Sequence, residues 1–317
     1  MSSLTLPGMT TQVRPTWSER LGPYNKYFLL APLVIMIVFF FAGPLLWLFR
    51  VSLYRSHGSS GFGIGGAAGQ GGGGYYVLGT WTLENYIKFF SDEYFLSILA
   101  FTLKFAGIVT VLTMLLAYPM AYYIYKAPPK LKVVLLILVV LPKLANILVL
   151  IYGLQILLAN NGWVNQMLVY FGVVDEPVKL VYTLFSAVLA KVLLIIPYTI
   201  LVITAALHGL DPTLRNAARG LGAGPVKTFL TVTLPLSLPG TYVALLITVV
   251  WSLGAFVSPS LLGNPDLTTL AVEVPKQTFE NVNWAMGSAI AFIILGLMSV
   301  VVLLYNWALS SRTPWRA

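Results

Sequence analysis

The chain has 317 residues, of which 58% are hydrophobic and only 9% are charged. A soluble domain carries about 25% charged residues because its surface must be solvated, so this composition excludes a water-soluble globule and favours a protein covered by lipid. The chain has no cysteine, which excludes disulfides and thiolate metal sites.

Six stretches of the sequence are apolar over the roughly 20 residues that a helix needs to cross about 30 Å of hydrocarbon. They cover residues 27–53, 98–125, 133–158, 181–207, 240–262 and 286–309. We therefore predict an all-α membrane protein with about six transmembrane helices.

The basic residues indicate the orientation of these spans, because short cytoplasmic loops retain Lys and Arg. With the N-terminus inside, the internal segments hold Arg14, Arg20, Lys26, Lys126, Lys130, Lys132, Arg215, Arg219, Lys227, Arg312 and Arg316. The external loops hold only Arg55, Lys88, Lys179 and Lys276. We predict cytoplasmic tails at 1–26 and 310–317, and the net charge of +9 then reflects topology rather than a nucleic-acid surface.

The first external loop contains a glycine-rich stretch at 58–74. Glycine-rich loops can bind phosphates, but such a loop needs a Lys and a Ser or Thr where the next helix begins. Neither follows here, so the composition predicts a flexible external linker.

The segment 208–239, between the fourth and fifth spans, is the longest internal loop. Asp211 followed by Pro212 is typical of a helix start. The residues that follow at helical spacing on one face are Leu214, Ala217, Ala218 and Leu221, with Arg215 and Arg219 off that face. Gly222 and Gly224 should end this helix, and Pro225 can open a second short helix through Val232.

Two interpretations of this helix pair are open. Short amphipathic helices often lie on lipid headgroups. Against that, Ala217 and Ala218 make the apolar face narrow and shallow, which favours close packing against another helix.

This loop resembles the cytoplasmic "EAA" signature of the type I ABC importer permeases. The matching residues, at the spacing of that signature, are Asn216, Ala217, Ala218, Gly222, Val232, Leu234 and Pro235. Asn216 stands where the family usually has Glu, and Val232 replaces Ile. The resemblance extends from about Ile98 to Leu309, including the segments 118–121 and 151–154, and is closest to the spermidine/putrescine permeases.

The resemblance implies the type I permease fold and a location in a bacterial inner membrane. It implies that the chain forms half of a pore with a second permease, contacts a dimer of cytoplasmic ATPases and receives solute from an external binding protein. The residues implied in ATPase coupling are Leu214, Arg215, Asn216, Ala217, Ala218, Arg219, Leu221, Gly222, Ala223 and Gly224. The chain has no GxxxxGK[S/T] motif, so ATP and Mg are expected on the ATPase and no cofactor on this transport subunit.

Ionisable groups inside spans are costly and are by default candidates for function. Three lysines lie within the predicted spans, Lys104, Lys143 and Lys191, without an acidic residue in any span. The candidate residues of a solute path are Lys143, Asn146, Tyr152, Gln155, Lys191, Tyr198, Trp251 and Ser252. The alternative roles are snorkelling for Lys104 and Lys143 and interhelical hydrogen bonding for the polar residues.

The solute and the class of transporter leave alternatives. Family resemblance favours a polyamine-like solute, whereas unpaired lysines favour an anionic one, such as a phosphonate or an organic acid. A secondary transporter or channel would use intramembrane acids or broken helices, and the missing acids oppose it. A membrane-embedded enzyme or a metal site has still less support, because His57 and His208 have no companion ligands nearby.

Overall fold

The structure is a computed structural model that describes residues 24–56, 76–77, 80–264 and 268–310. The predicted glycine-rich loop at 58–74 lies outside the described residues. Most of the predicted N-terminal tail, with Arg14 and Arg20, also lies outside the described residues. The same holds for the C-terminal tail beyond 310, with Arg312 and Arg316.

Six helices of the described chain are long and apolar enough to cross a membrane. They cover Leu30–Ser52, Glu93–Lys126, Ile147–Tyr170, Leu184–His208, Pro225–Leu253 and Trp284–Trp307. The predicted number of spans and the predicted all-α class are therefore confirmed.

The chain divides into two compact units, residues 1–50 and 51–317. In the first unit, helix α1 (Tyr24–Ile37) continues through a π-helical turn (Val38–Ala42), which we call a wide turn, into α2 (Gly43–Ser52). The last two residues of α2 belong to the second unit. No side chain between Leu30 and Arg50 is buried.

The first half of the second unit begins with a two-stranded antiparallel ladder, in which β1 (Arg55–Ser56) pairs with β2 (Tyr76–Val77). Helical elements follow it in chain order. They are α3 (Glu84–Ser91), α4 (Glu93–Lys126), α5 (Pro129–Val140), a 3₁₀ turn (Leu141–Leu144), α6 (Ile147–Leu158) and α7 (Trp163–Tyr170).

The second half is also helical. Its elements are α8 (Leu184–His208), α9 (Pro212–Gly220), α10 (Pro225–Thr228), a wide turn (Phe229–Thr233), α11 (Leu234–Leu253), α12 (Val257–Leu262), α13 (Leu270–Pro275), a second wide turn (Lys276–Glu280) and α14 (Trp284–Ser310).

The core lies where α4, α8 and α11 pack together. Small residues let these helices approach closely, as is common between membrane helices. A side chain at Gly240 on α11 would collide with the Cβ of Ala206 on α8. In the same contact between α8 and α11, the hydroxyls of Thr199 and Thr248 lie 3.0 Å apart and bridge the two helices.

The predicted third span, 133–158, is not one continuous helix. It breaks after the 3₁₀ turn at residues 141–144, and α6 restarts at Ile147. Two residues within this apolar stretch, Pro142 and Asn146, account for the break. Pro142 cannot donate a helical hydrogen bond, and the side chain of Asn146 accepts the amide of Leu148 at 2.8 Å as an N-cap.

Both predicted bounds of the fifth span, 240 and 262, lie too far towards the C-terminus. The helix begins as α10 at Pro225, runs through the wide turn into α11 and ends at Leu253. Gly254 then caps it, and α12 is a separate short helix packed on α8 and α6. The predicted second short helix of the loop is thus the first part of the fifth span.

A buried carboxylate lies in the connection between α11 and α14. Glu273 is fully buried and accepts hydrogen bonds from the Tyr94 hydroxyl at 3.0 Å and the Gln277 amide at 2.7 Å. Lys276 lies 3.8 Å from the same carboxylate and donates to the Tyr94 hydroxyl at 2.9 Å. This last hydrogen bond raises the pKa of Lys276 above its ordinary value. The four residues tie α13 to the start of α4.

Candidate functional site

The helix α9 begins where the sequence predicts it. Asp211 is its N-cap, and its carboxylate accepts the amide of Thr213 at 2.8 Å. Hydrogen bonds from Thr213 hold the pKa of Asp211 below its ordinary value, so the cap is charged at neutral pH. At the other end, Gly222 adopts φ +84°, a left-handed conformation that glycine accepts without strain.

The apolar face of α9 points away from the rest of the chain. No α9 residue is buried, and the side chains of Leu214 and Leu221 are 48% and 90% exposed. Val226, at the start of α10, is 69% exposed. Three large apolar side chains in one short element are therefore available to a partner.

The remaining predicted coupling residues surround this face. Most of them are exposed, namely Asn216, Ala217, Arg219, Gly222 and Gly224, while Ala218, Ala223 and Arg215 are half-buried. The structure thus brings all ten predicted coupling residues together in one compact element that is joined directly to a span.

Three tyrosines on one face of α4 contact α9 and the residues that follow it along the chain. The ring of Phe229 lies 4.7 Å from the Tyr122 ring and 6.0 Å from the Tyr118 ring. The Tyr118 hydroxyl is 2.8 Å from the Ser237 hydroxyl on α11. The third tyrosine, Tyr125, receives a hydrogen bond of 3.3 Å from the guanidinium of Arg215. We call Tyr118, Tyr122 and Tyr125 the tyrosine stripe.

The tyrosine stripe is a functional candidate that the sequence reasoning missed. Its signal is the spacing of the three residues, which places positions i, i+4 and i+7 on one face of a helix. His208 was also missed as part of this region, because it was considered only as a metal ligand. Its ring is 5.2 Å from the ring of Tyr125, in an edge-to-face arrangement.

The predicted path residues include a second group, which we call the lysine–aromatic cluster: Lys143, Lys191, Tyr198 and Trp251. The ammonium of Lys143 lies 4.3 Å from the centre of the Tyr198 ring and hydrogen-bonds to the carbonyl of Leu194. The rings of Tyr198 and Trp251 are 4.7 Å apart and nearly perpendicular. Lys191 is half-buried on α8, seven residues before Tyr198 and therefore on the same face of that helix.

The other predicted path residues do not join this cluster in the described part of the chain. Asn146 caps α6, and Gln155 donates to the Tyr182 hydroxyl at 2.7 Å. Tyr152 is half-exposed on α6. Ser252 is fully buried and donates to the carbonyl of Thr248, which makes it a packing residue of α11.

A cavity of about 650 Å³ lies between α4, α5, α6 and α8. Its walls are almost entirely apolar, with side chains such as Met120, Leu138, Leu154 and Ile200. None of the predicted path residues lines it. The cavity therefore suits an acyl chain or an apolar helix better than a polar solute.

Comparison with known proteins places this architecture in a family. The family described as "binding-protein-dependent transport system inner membrane component" matches residues 114–312. The spermidine/putrescine transport system permease protein PotB of Escherichia coli is 31% identical over 231 residues, covering 73% of this chain and 83% of that protein. The inner membrane ABC transporter permease protein YdcU of the same organism is 34% identical over 198 residues, covering 58% and 62%.

Solved structures agree on the fold. A chain of a bacterial ABC transporter involved in the import of the acidic polysaccharide alginate superposes with a TM-score of 0.70 at 19% identity, covering 94% of this chain and 99% of that one. The MetNI methionine ABC transporter, in an inward-facing conformation, gives a TM-score of 0.54 at 16% identity, covering 68% and 94%.

Proposed function

Because this chain belongs to the family of binding-protein-dependent transport system inner membrane components and is a permease of an ABC importer, we propose that it forms half of a solute pore driven by a separate ATPase. The chain is a multi-pass protein of a bacterial inner membrane and is a transport subunit, not an enzyme. The other half of the pore would be a second permease. An external binding protein would deliver the solute, and ATP and Mg would bind on the ATPase.

The exposed apolar face of α9 carries this proposal. Burying a large apolar side chain contributes about 1.5–3 kcal/mol, so Leu214, Leu221 and Val226 together offer enough for a specific contact. Since α10 continues into α11, a displacement that reaches α10 passes to the fifth span along one continuous helical segment. Rigid packed elements transmit displacement as rigid-body motion. We place the ATPase on this face, and hence this face in the cytoplasm.

An association experiment tests the assignment. Leu221→Asp should abolish co-purification of the cognate ATPase with this permease from detergent, because the 90% exposed leucine would lie in the contact. Phe171→Asp is the matched control, since Phe171 is a 71% exposed apolar residue after α7. ATPase binding that survives Leu221→Asp, or uptake that proceeds without any ATPase, would contradict the proposal.

For the solute, we propose a polyamine-like compound, on the support of PotB, whose name states spermidine and putrescine transport. A second candidate is an anionic small solute. It is favoured by Lys143 and Lys191, for which no acidic partner is found among the described residues.

The two candidates predict opposite effects of charge removal. Lys191→Met should raise uptake of a cationic solute, because a repelling charge is lost from the path, and should lower uptake of an anionic one. Uptake of labelled putrescine and of a labelled organic acid by the complete importer distinguishes the two. Lys104→Met is the control, since Lys104 is an exposed lysine on α4. No change of uptake in Lys191→Met would remove the lysine–aromatic cluster from the path.

A further inference from the structure

The helix α9 packs on its neighbours in the chain, α10 and the turn Phe229–Thr233, and none of its residues is buried. Among the described residues, Arg215 is the one α9 side chain that reaches a more distant helix by a hydrogen bond or a ring contact. Its guanidinium donates to the Tyr125 hydroxyl at 3.3 Å and lies 5.5 Å from the centre of that ring. A force on α9 therefore acts on α10 and the turn after it and, through Arg215, on Tyr125 at the end of α4.

Tyr125 connects this contact to two further helices. Its ring meets the edge of His208 at the end of α8. The imidazole of His208 lies 2.8 Å from the ammonium of Lys132 on α5 through Nε2, and 2.8 Å from the carbonyl of Thr204 through Nδ1. Four helix ends thus meet at two rings: the ends of α4 and α8, the first turn of α5, and α9.

The two hydrogen bonds assign the donor and acceptor roles of the His208 ring nitrogens and the orientation of the ring. An ammonium can only donate and a carbonyl can only accept. Nε2 must therefore accept from Lys132, and Nδ1 must carry the hydrogen that is donated to Thr204. Both ring nitrogens have a hydrogen-bond partner, so the ring cannot turn without losing a hydrogen bond.

We propose that Tyr125 and His208 are positioning residues for ATPase coupling: together they form a seat that holds α9 against the ends of α4, α5 and α8. The proposal rests on the proposed function. Arg215 hydrogen-bonds to Tyr125 and Lys132 hydrogen-bonds to His208, so the two rings lie between these two cations. A third cation, Lys126, lies over the neighbouring Tyr122 ring. Movement of α9 by an ATPase would then move three helix ends at once, besides the fifth span.

The test compares transport with ATP hydrolysis in the complete importer reconstituted in liposomes. Tyr125→Leu and His208→Leu should lower the number of solute molecules moved per ATP by about two- to fivefold, the range expected for losing one cation–π contact or one hydrogen bond that is partly exposed to solvent. Tyr125→Phe keeps the ring and should retain most of the coupling. Tyr123→Leu is the matched control, because Tyr123 is a 60% exposed tyrosine on the same turn of α4.

A double-mutant cycle distinguishes loss of the contact between Arg215 and Tyr125 from general destabilisation of the protein. If Arg215 acts through Tyr125, Arg215→Gln should lower the coupling ratio in the natural background and have little further effect in the Tyr125→Leu background. Additive losses, or an unchanged ratio in both ring variants while the unmodified importer transports, would overturn the inference. Failure of the unmodified chain to associate with an ATPase would instead overturn the proposed function.

Discussion

Gly222 sets the direction in which the chain leaves α9. Its φ of +84° allows the Schellman-like reversal in which the amide of Ala223 bonds back to the carbonyl of Ala218 at 3.0 Å. A Cβ at this position would meet no other atom within 4 Å. The glycine is therefore required by backbone conformation and not by space within this chain.

The first prediction follows from that distinction. Gly222→Ala should strain the backbone by about 1–2 kcal/mol and lower transport by roughly fivefold or more, while Gly222→Asn, which tolerates the left-handed region, should lose less. Gly296→Ala is the control, because Gly296 lies within α14, away from the coupling residues in sequence, and has open space around it. Initial uptake rates at equal amounts of assembled importer measure the effect. A lower rate in the Asn variant than in the Ala variant would show that side-chain size matters more than conformation.

The break in the third span shows what the hydropathy pattern leaves undetermined. Residues 133–158 are apolar on both sides of the break, so an average over 20 residues finds a single span. The local signals were nevertheless in the sequence, because Asn146 stands directly before an apolar run and Pro142 lies four residues earlier. The start of the fifth span was predicted wrongly because Pro235 and Pro239 suggest a loop, although both lie within α11.

The second prediction concerns the restart of α6. Asn146→Ala should free the amide of Leu148 and destabilise the first turn by about 1 kcal/mol, which raises hydrogen exchange at that amide by roughly fivefold. Asn146→Ser keeps a capping oxygen and should retain the protection. Unchanged exchange in the Ala variant would mean that packing, rather than the cap, holds this end of α6.

At the scale of the whole molecule, the number of spans and the position of α9 followed from the sequence, whereas its support did not. Asp211 and Pro212 predicted the helix start because capping is a local effect. The tyrosine stripe and His208 depend on how α4, α5 and α8 converge. That arrangement is set by tertiary contacts such as the packing of Ala121, Leu136 and Ile203 in one hydrophobic cluster, which no local pattern encodes.

The third prediction tests the orientation of the spans. The chain lacks cysteine, so single cysteines can be introduced without background. With α9 in the cytoplasm, Glu176→Cys should react with a membrane-impermeant maleimide in intact cells, and Gly220→Cys should react only after permeabilisation. Both positions are exposed in this chain, and Gly220 has open space around it. The reverse labelling pattern would invert the predicted topology.

The buried Glu273 has a consequence for how the connection between the last two spans behaves. By sequence position, residues 270–283 would be taken for an ordinary surface loop, open to proteases and tolerant of insertions. Extracting a carboxylate from beneath apolar cover means breaking bonds to Tyr94, Gln277 and Lys276 in the same event. We therefore expect this stretch to resist digestion as the spans themselves do, and inserted tags to be tolerated elsewhere on the surface before they are tolerated here.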